Sequence, residues 1–144
     1  MSEYVVGVDE VGRGSLVGSA IVCAFRSQNS FFQELPFDVT DSKKINKKKR
    51  EEIYNYFKLN RGFNFNYQII VGKKKFIEKF NIHNVVLQCM KQSIILLSKK
   101  TDTVIIDGKF IPNGMEDYKV KALVKADDKI NQVSAASIIA KVYR

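Results

Sequence analysis

The sequence predicts an α/β domain built on a mixed central sheet flanked by helices. Five short apolar segments indicate strands, and four segments with apolar residues at helical spacing indicate helices. Their order is strand, strand, helix, strand, two helices, strand, strand, helix. This order is typical of a sheet with both antiparallel and parallel pairs. Because the 144 residues contain no internal repeat, low-complexity linker or visible boundary, we expect one domain, residues 1–144.

The strands are predicted from runs of apolar and β-branched residues. Residues 4–8 and 17–25 are separated by a glycine-bearing turn, so we expect these two strands to pair. Residues 63–71 and 118–124 alternate between apolar and polar side chains, as half-buried strands do. Residues 103–106 are continuously apolar, which is typical of a central buried strand.

Four segments are predicted helices: residues 47–58, 73–80, 81–98 and 130–143. Asn46 can cap the first helix, and Asn81 can start the third. The first helix begins with four consecutive cations, residues 47–50, which oppose the helix dipole and so are not placed for helix stability. Phosphate contact and a merely solvated face both explain them.

The net charge of +9, with an isoelectric point near 9.5, indicates a protein that meets a polyanion. Nucleotide bias is a second explanation, because the 19 lysines, 10 asparagines and 15 isoleucines are residues that AT-rich codons supply freely. Composition does not decide between the two.

Composition also bears on location. No segment reaches the roughly 18 to 20 apolar residues of a membrane span, and residues 1–3 carry no basic segment ahead of the first apolar run. Cys23 and Cys89 are isolated in apolar surroundings, as expected of buried free thiols rather than of a disulfide or a metal site. We therefore expect a soluble, cytoplasmic protein with no membrane contact. We also expect a monomer, although composition does not bear on that.

Carboxylates at the ends of two predicted strands suggest a metal site. Asp9 and Glu10 follow the first strand, and Asp107 follows the fourth. Uncompensated charge at the end of an apolar strand is costly unless a cation neutralises it. Asp9 and Glu10 can share one site only if the backbone turns there, which the glycines that follow would permit.

If the two strands lie side by side, their three carboxylates converge. Hard oxygen ligands suit Mg²⁺ or Mn²⁺ rather than zinc. Two such ions would support in-line attack of water on a phosphodiester. The alternative explanation is that strand-end aspartates serve as turn caps.

Other polar motifs are less specific. His83 is the sole histidine, so a zinc site and a Ser/His/Asp triad both lack their parts, and we expect a structural role for it. The turn Asp41-Ser42-Lys43-Lys44 either leads into the first helix or holds phosphates. The Gly12-Arg13-Gly14 run lacks the spacing of a dinucleotide or P-loop fingerprint.

The last helix carries a polar face made by Ser134, Ser137 and Lys141, which are spaced three and four residues apart. Alanines between them are small enough for close backbone packing. No helix stop signal precedes Arg144, so we expect that the helix is cut rather than ended there.

Taken together, these motifs resemble those of bacterial ribonuclease HII. The motifs are Asp9-Glu10-Val11-Gly12-Arg13-Gly14, Asp41-Ser42-Lys43-Lys44, Ile106-Asp107-Gly108, and Val124-Lys125 followed by residues 134–142. They occur in the family's order and cover nearly the whole chain. The related type III enzymes have lysine and an acidic residue around the first glycines, so the resemblance is to type II.

The resemblance implies a ribonuclease H-like fold without its C-terminal helical part. It implies an endonuclease that hydrolyses the RNA strand of RNA/DNA hybrids and cuts at single ribonucleotides in duplex DNA. The implied catalytic, metal-binding residues are Asp9, Glu10 and Asp107, with Mg²⁺ or Mn²⁺ as cofactor. The implied contacts to the ribose 2′-hydroxyl are Gly12, Arg13 and Gly14. The implied contacts near the nucleic-acid backbone are Ser42, Lys43 and Lys125. Asp127 has no firm role and can cap the last helix.

In the family, the residue after the arginine that corresponds to Arg144 is a fourth catalytic aspartate, which would lie on the helix face of Ser137 and Lys141. Further helices and a tyrosine that contacts the 2′-hydroxyl follow in the family. Two hypotheses result. The chain is a metal-dependent ribonuclease, or it is a truncated nucleic-acid-binding remnant with little turnover. A resolvase or transposase of the same fold is a third, and it predicts equal cutting of all-DNA substrates.

Overall fold

The computed structural model describes residues 3–12, 18–40, 45–62 and 64–144. Four of the predicted site residues lie outside these ranges: Arg13, Gly14, Ser42 and Lys43. Of the helices in the described part of the chain, none is long and apolar enough to cross a membrane.

Among the residues that the structure describes, five strands form one mixed sheet, in the spatial order β3-β2-β1-β4-β5. Their bounds are β1 Tyr4–Val11, β2 Ala20–Gln28, β3 Phe65–Gly72, β4 Thr103–Asp107 and β5 Lys119–Leu123. β2 pairs antiparallel with both β1 and β3, and β4 pairs parallel with both β1 and β5. The predicted α/β class, the element order and the pairing of the first two strands are therefore confirmed. The carboxyl ends of β1, β3, β4 and β5 all lie at one edge of the sheet, which we call the upper edge.

The described part of the chain contains four α-helices: α1 Lys47–Asn60, α2 Lys74–Phe80, α3 Ile82–Leu97 and α4 Asn131–Tyr143. α1, α3 and α4 pack on the sheet, whereas α2 packs against α3. The predicted caps are confirmed. The Asn46 side chain accepts a hydrogen bond of 2.8 Å from the Lys49 amide, and Asn81 accepts one of 3.1 Å from the Asn84 amide. Short 3₁₀ turns occupy Asn29–Glu34 and Ala126–Asp128.

The two faces of the sheet bury separate apolar cores because alternate strand residues point to opposite sides. Along β2, Cys23 and Phe25 pack with α1 and α4, whereas Val22 and Ala24 pack with α3. Phe25 stacks on Phe65 with ring centroids 5.5 Å apart. The two cysteines are free and buried, and they belong to opposite cores, which confirms the prediction of free thiols.

Gly7 in the middle of β1 allows α4 to lie directly on the sheet. A Cβ atom built at Gly7 would come within 2.2 Å of the Val133 amide nitrogen and 2.3 Å of the Gln132 carbonyl carbon. Only a residue without a side chain permits this approach. The contact fixes the height of α4 relative to β1, and hence the residues of α4 that face the upper edge.

The condition under which Asp9 and Glu10 could share one site is not met. The backbone does not turn at Asp9 and Glu10, because β1 continues through both residues to Val11. The change of direction comes at Gly12, whose φ of 111° is rarely open to residues with a side chain.

Candidate active site

Asp9 and Asp107 come together at the upper edge because β1 and β4 are parallel neighbours. The register pairs Val8 with Ile106, so the next residues along each strand are adjacent and face the same side. That side is covered by α4. Carboxylate oxygens of Asp9, Asp107 and Asp127 all lie within 4.8 Å of one another. We call these three residues the carboxylate cluster.

Asp127 is the member that the sequence motifs did not assign. It lies in the 3₁₀ turn that follows β5, the strand beside β4. It does not cap α4, whose N-cap is Ile130. Instead, the Ser134 hydroxyl donates hydrogen bonds to the carbonyl oxygens of Asp127 and Ile130, which ties this turn to α4. The signal in the sequence was the acidic pair Asp127 and Asp128, which follows β5, another strand that ends at the upper edge.

Asp9 is held tightly. Asp9 is only 8% exposed, and its carboxylate accepts a 2.8 Å hydrogen bond from the Glu10 amide. The Ser137 hydroxyl of α4 donates a second hydrogen bond to the Asp9 carboxylate. Burial, and then the charge of Asp107, raise the pKa of Asp9 well above its ordinary value, although both hydrogen bonds oppose that rise.

The pKa of Asp107 is raised as well. Burial, and then the charge of the neighbouring Asp127, raise the pKa of Asp107 to about 6. In its protonated form Asp107 donates a hydrogen bond to Asp127, which favours that form further. The backbone amides of Ala126 and Asp127 donate hydrogen bonds to its carboxylate and partly offset the rise.

The carboxylate cluster fits a hard divalent cation. Its donors are all carboxylate oxygens, the ligands that Mg²⁺ and Mn²⁺ prefer. Burial, together with the nearby carboxylate charges, raises the pKa of Asp9 and of Asp107, so their charged forms are costly without a cation. A bound cation would remove that cost.

Glu10 points to the other face of the sheet. It pairs with Val22, whose side chain belongs to the core under α3. Glu10 and Asp107 both line a hollow of about 240 Å³ on that side, with Lys109 and Phe110 at the loop after β4. The structure therefore brings Asp9 and Asp107 together and places Glu10 on the opposite side of Asp107.

The remaining predicted residues have simpler positions. At Gly12, the φ of 111° and the 3.0 Å that would separate a Cβ atom from the Ser19 carbonyl oxygen both favour glycine. Lys125 is exposed in a left-handed conformation, with φ of 59°, two residues before Asp127. His83 contacts Phe110 edge to face, with ring centroids 4.7 Å apart.

The polar face predicted for α4 is present and turned toward the sheet. Ser134 and Ser137 are buried, whereas Lys141, one turn above Ser137, is exposed. The neighbouring alanines are fully buried, which allows the helix backbone to approach β1.

Comparison with known proteins identifies the family. The ribonuclease HII family model matches residues 6–144. Ribonuclease HII of Pelagibacter ubique (strain HTCC1062) is 43% identical over 142 residues, which are 99% of this chain and 72% of the relative.

Solved structures agree. Ribonuclease HII in its complex with PCNA from Archaeoglobus fulgidus has a TM-score of 0.79 at 27% identity, covering 97% of this chain and 71% of that one. Ribonuclease H2 of Pyrococcus horikoshii OT3 also has a TM-score of 0.79, at 25% identity, covering 98% and 72%. The predicted ribonuclease H-like fold is thus confirmed, and the chain belongs to the ribonuclease HII family.

Proposed function

We propose that this protein is a metal-dependent endonuclease that hydrolyses the RNA strand of RNA/DNA hybrids and cuts at single ribonucleotides in duplex DNA. The observation that carries the proposal is the carboxylate cluster, whose oxygens lie within 4.8 Å of one another at the ends of β1 and β4 and in the turn after β5. Membership of the ribonuclease HII family supports the substrate class.

Asp9, Asp107 and Asp127 would hold the divalent cation, with Glu10 contributing from the other side of Asp107. When bound, Mg²⁺ or Mn²⁺ supplies Lewis-acid chemistry, and a pair of ions supports both the attacking water and the departing 3′ oxygen of a phosphodiester. The expected products carry 5′-phosphate and 3′-hydroxyl ends.

The protein's own contribution is to hold these carboxylates in place before any substrate arrives. Asp9 is fixed by the Glu10 amide and the Ser137 hydroxyl, and Asp107 is fixed by two backbone amides of the turn that carries Asp127. Because these donors belong to a strand, a helix and a short turn tied to that helix, the ligands lose little freedom on binding a cation.

Substrate recognition rests on the motifs around the cluster. We propose that the segment Gly12, Arg13 and Gly14 contacts the ribose 2′-hydroxyl, the group that distinguishes RNA from DNA. Ser42, Lys43 and Lys125 are proposed to contact phosphates, which position the duplex without reading its sequence. The net charge of +9 favours such a partner. We further propose that the protein acts as a cytoplasmic monomer.

The test is cleavage of a DNA duplex that carries one ribonucleotide, with Mg²⁺ or Mn²⁺, beside an all-DNA duplex of the same sequence. Asp9→Asn provides the matched control because the amide keeps the side-chain shape while removing a cluster charge. We expect metal-dependent product from the ribonucleotide duplex alone. Equal cutting of both duplexes would support the resolvase or transposase alternative. A folded protein with no product above the Asp9→Asn control would instead leave a binding remnant.

A further inference from the structure

We propose that Lys73, Lys74 and Lys75, which precede and open α2, contact phosphates of the nucleic-acid duplex about three to six nucleotides from the cut. This inference rests on the proposed function and extends it to the duplex beyond the cleaved bond. We call these three residues the α2 lysines. All three are exposed.

The sheet register places the α2 lysines at the upper edge, on the same side of the molecule as the carboxylate cluster. Ile21 of β2 pairs with Val11 of β1 on one side and with Val71 of β3 on the other. β3 therefore ends level with β1, two strand spacings away, which is about 10 Å. Lys73 follows directly after the last residue of β3.

The stability of α2 does not explain these cations. Lysines in a first helical turn oppose the helix dipole, and α2 has no acidic residue in that turn. Lys74 lies 3.9 Å from Glu78, but both side chains are more than half exposed, so this pair contributes little. Lys73, the N-cap residue, makes no side-chain capping hydrogen bond. Neither the helix dipole nor a strong ion pair accounts for these three cations, and contact with a phosphate partner is the explanation that we propose.

The partner that fits is a duplex lying across the upper edge. Measured along the axis of a duplex, successive phosphates of one strand are spaced about 3.4 Å apart. The phosphates that lie over the α2 lysines would therefore be about three to six nucleotides from the phosphate bound at the carboxylate cluster. β3 begins at the opposite, lower edge, so α1, which precedes it, ends near the lower edge and begins near the upper edge. The α1 lysines 47–49 therefore lie at the upper edge, on the α4 side of the sheet. The α1 lysines and the α2 lysines would thus flank a nucleic-acid strand whose centre lies over the carboxylate cluster.

The opposite edge offers a matched control. Lys58, Lys99 and Lys100 are exposed and lie near the end of α1 and the start of β4, at the lower edge. This set also contains one paired lysine, since Lys100 lies 3.8 Å from Asp117. The triple variants K73Q/K74Q/K75Q and K58Q/K99Q/K100Q therefore remove the same charge from opposite ends of the molecule.

The experiment measures binding of a labelled 24-base-pair duplex with one central ribonucleotide by fluorescence anisotropy in EDTA, where no cleavage occurs. We expect the α2 triple variant to bind about 10-fold more weakly at 100 mM KCl. The slope of log K against log salt should become shallower by about 2 to 3, because each phosphate contact contributes about 0.9. The lower-edge triple should change affinity less than about 2-fold.

A second arm locates the contact on the duplex. Neutral methylphosphonates placed three to six nucleotides from the ribonucleotide should weaken binding of the unmodified protein and of the lower-edge triple. They should have little further effect on the α2 triple, because its contact is already lost. Melting temperatures within about 2 °C of the unmodified protein would show that both triples are folded.

Equal weakening by the two triples would overturn the inference, since net charge alone would then account for binding. Unchanged affinity of the α2 triple, or methylphosphonate effects that simply add, would overturn it as well. Failure of the proposed function would be seen separately, as absence of metal-dependent cleavage by the unmodified protein.

Discussion

Replacing Gly7 with alanine should destabilise the protein and damage the site together. Gly7 is the point where β1 touches the backbone of α4, and no side chain lies between them to rotate away. Two residues further along β1 is Asp9, which accepts its hydrogen bond from Ser137 of the same helix. Any separation of the two elements at Gly7 is therefore transmitted to the carboxylate cluster.

The geometry sets the size of the effect. The added Cβ atom would lie 2.2 Å from the Val133 nitrogen, whereas an ordinary contact is at least 3.4 Å, so the backbones must part by about 1.2 Å. Overpacking of a core typically costs about 1 to 3 kcal/mol. Because the obstructing atoms are backbone, we expect about 3 kcal/mol for Gly7→Ala. For a protein of this size this corresponds to a fall in melting temperature of roughly 6 to 12 °C.

Gly62→Ala is the matched control, because a Cβ atom there meets nothing within 4 Å and only the φ of 146° opposes it. That strain alone should cost about 1 kcal/mol. Thermal unfolding followed by circular dichroism gives the stability, and cleavage of the ribonucleotide duplex gives the activity. A Gly7→Ala protein that melts no lower than the Gly62→Ala protein would refute the close-packing argument.

Three further substitutions test the electrostatics and capping. Asp107→Asn should stabilise the metal-free protein, because a carboxyl with pKa raised to about 6 costs stability above that pH and nothing below its ordinary value of 3.8. The full pKa shift corresponds to about 3 kcal/mol, but Asp107 is partly exposed, so we expect Asp107→Asn to raise the free energy of unfolding by about 1 kcal/mol at pH 7.5. In urea titrations with EDTA, this gain should shrink toward pH 4. A gain in stability that is independent of pH would contradict this prediction. Asp102→Ala removes the nearly buried partner that Arg26 contacts at 2.7 and 3.2 Å, so it should lower the free energy of unfolding by about 3 kcal/mol, while the exposed Asp117→Ala should change it by less than about 0.5. Equal effects of these two would argue against that reasoning. Asn46→Ala removes the cap of α1 and should cost about 1 kcal/mol by the same measurement, with unchanged stability as the contrary result.

Local sequence rules predicted the elements well because each depends on neighbours along the chain. Asn46 accepts the amide hydrogen bond three residues ahead, as the cap prediction required. The alternation along β2 reports the two faces of the sheet. The ends of predicted elements shifted by a few residues, most clearly at β1, which extends to Val11.

The site was only partly predictable. The positions of Asp9 and Asp107 at strand ends were visible in the sequence, and their convergence followed once β1 and β4 proved to be neighbours. Asp127 gave a weaker signal, an acidic pair after a strand, because its role depends on β5 lying beside β4 and on the Ser134 hydrogen bond to the turn. Glu10 was expected beside Asp9, but a strand that continues without a turn sends adjacent side chains to opposite faces.

The sequence by itself determined the class of fold, the order of its elements, the helix caps and the family, since these depend on short-range periodicity and on contiguous motifs. Tertiary structure alone decided which strands are neighbours, which face each carboxylate occupies and how closely α4 approaches β1 at Gly7. Those features depend on contacts between residues far apart in the chain, such as Arg26 with Asp102, and no local pattern encodes the partner of such a contact.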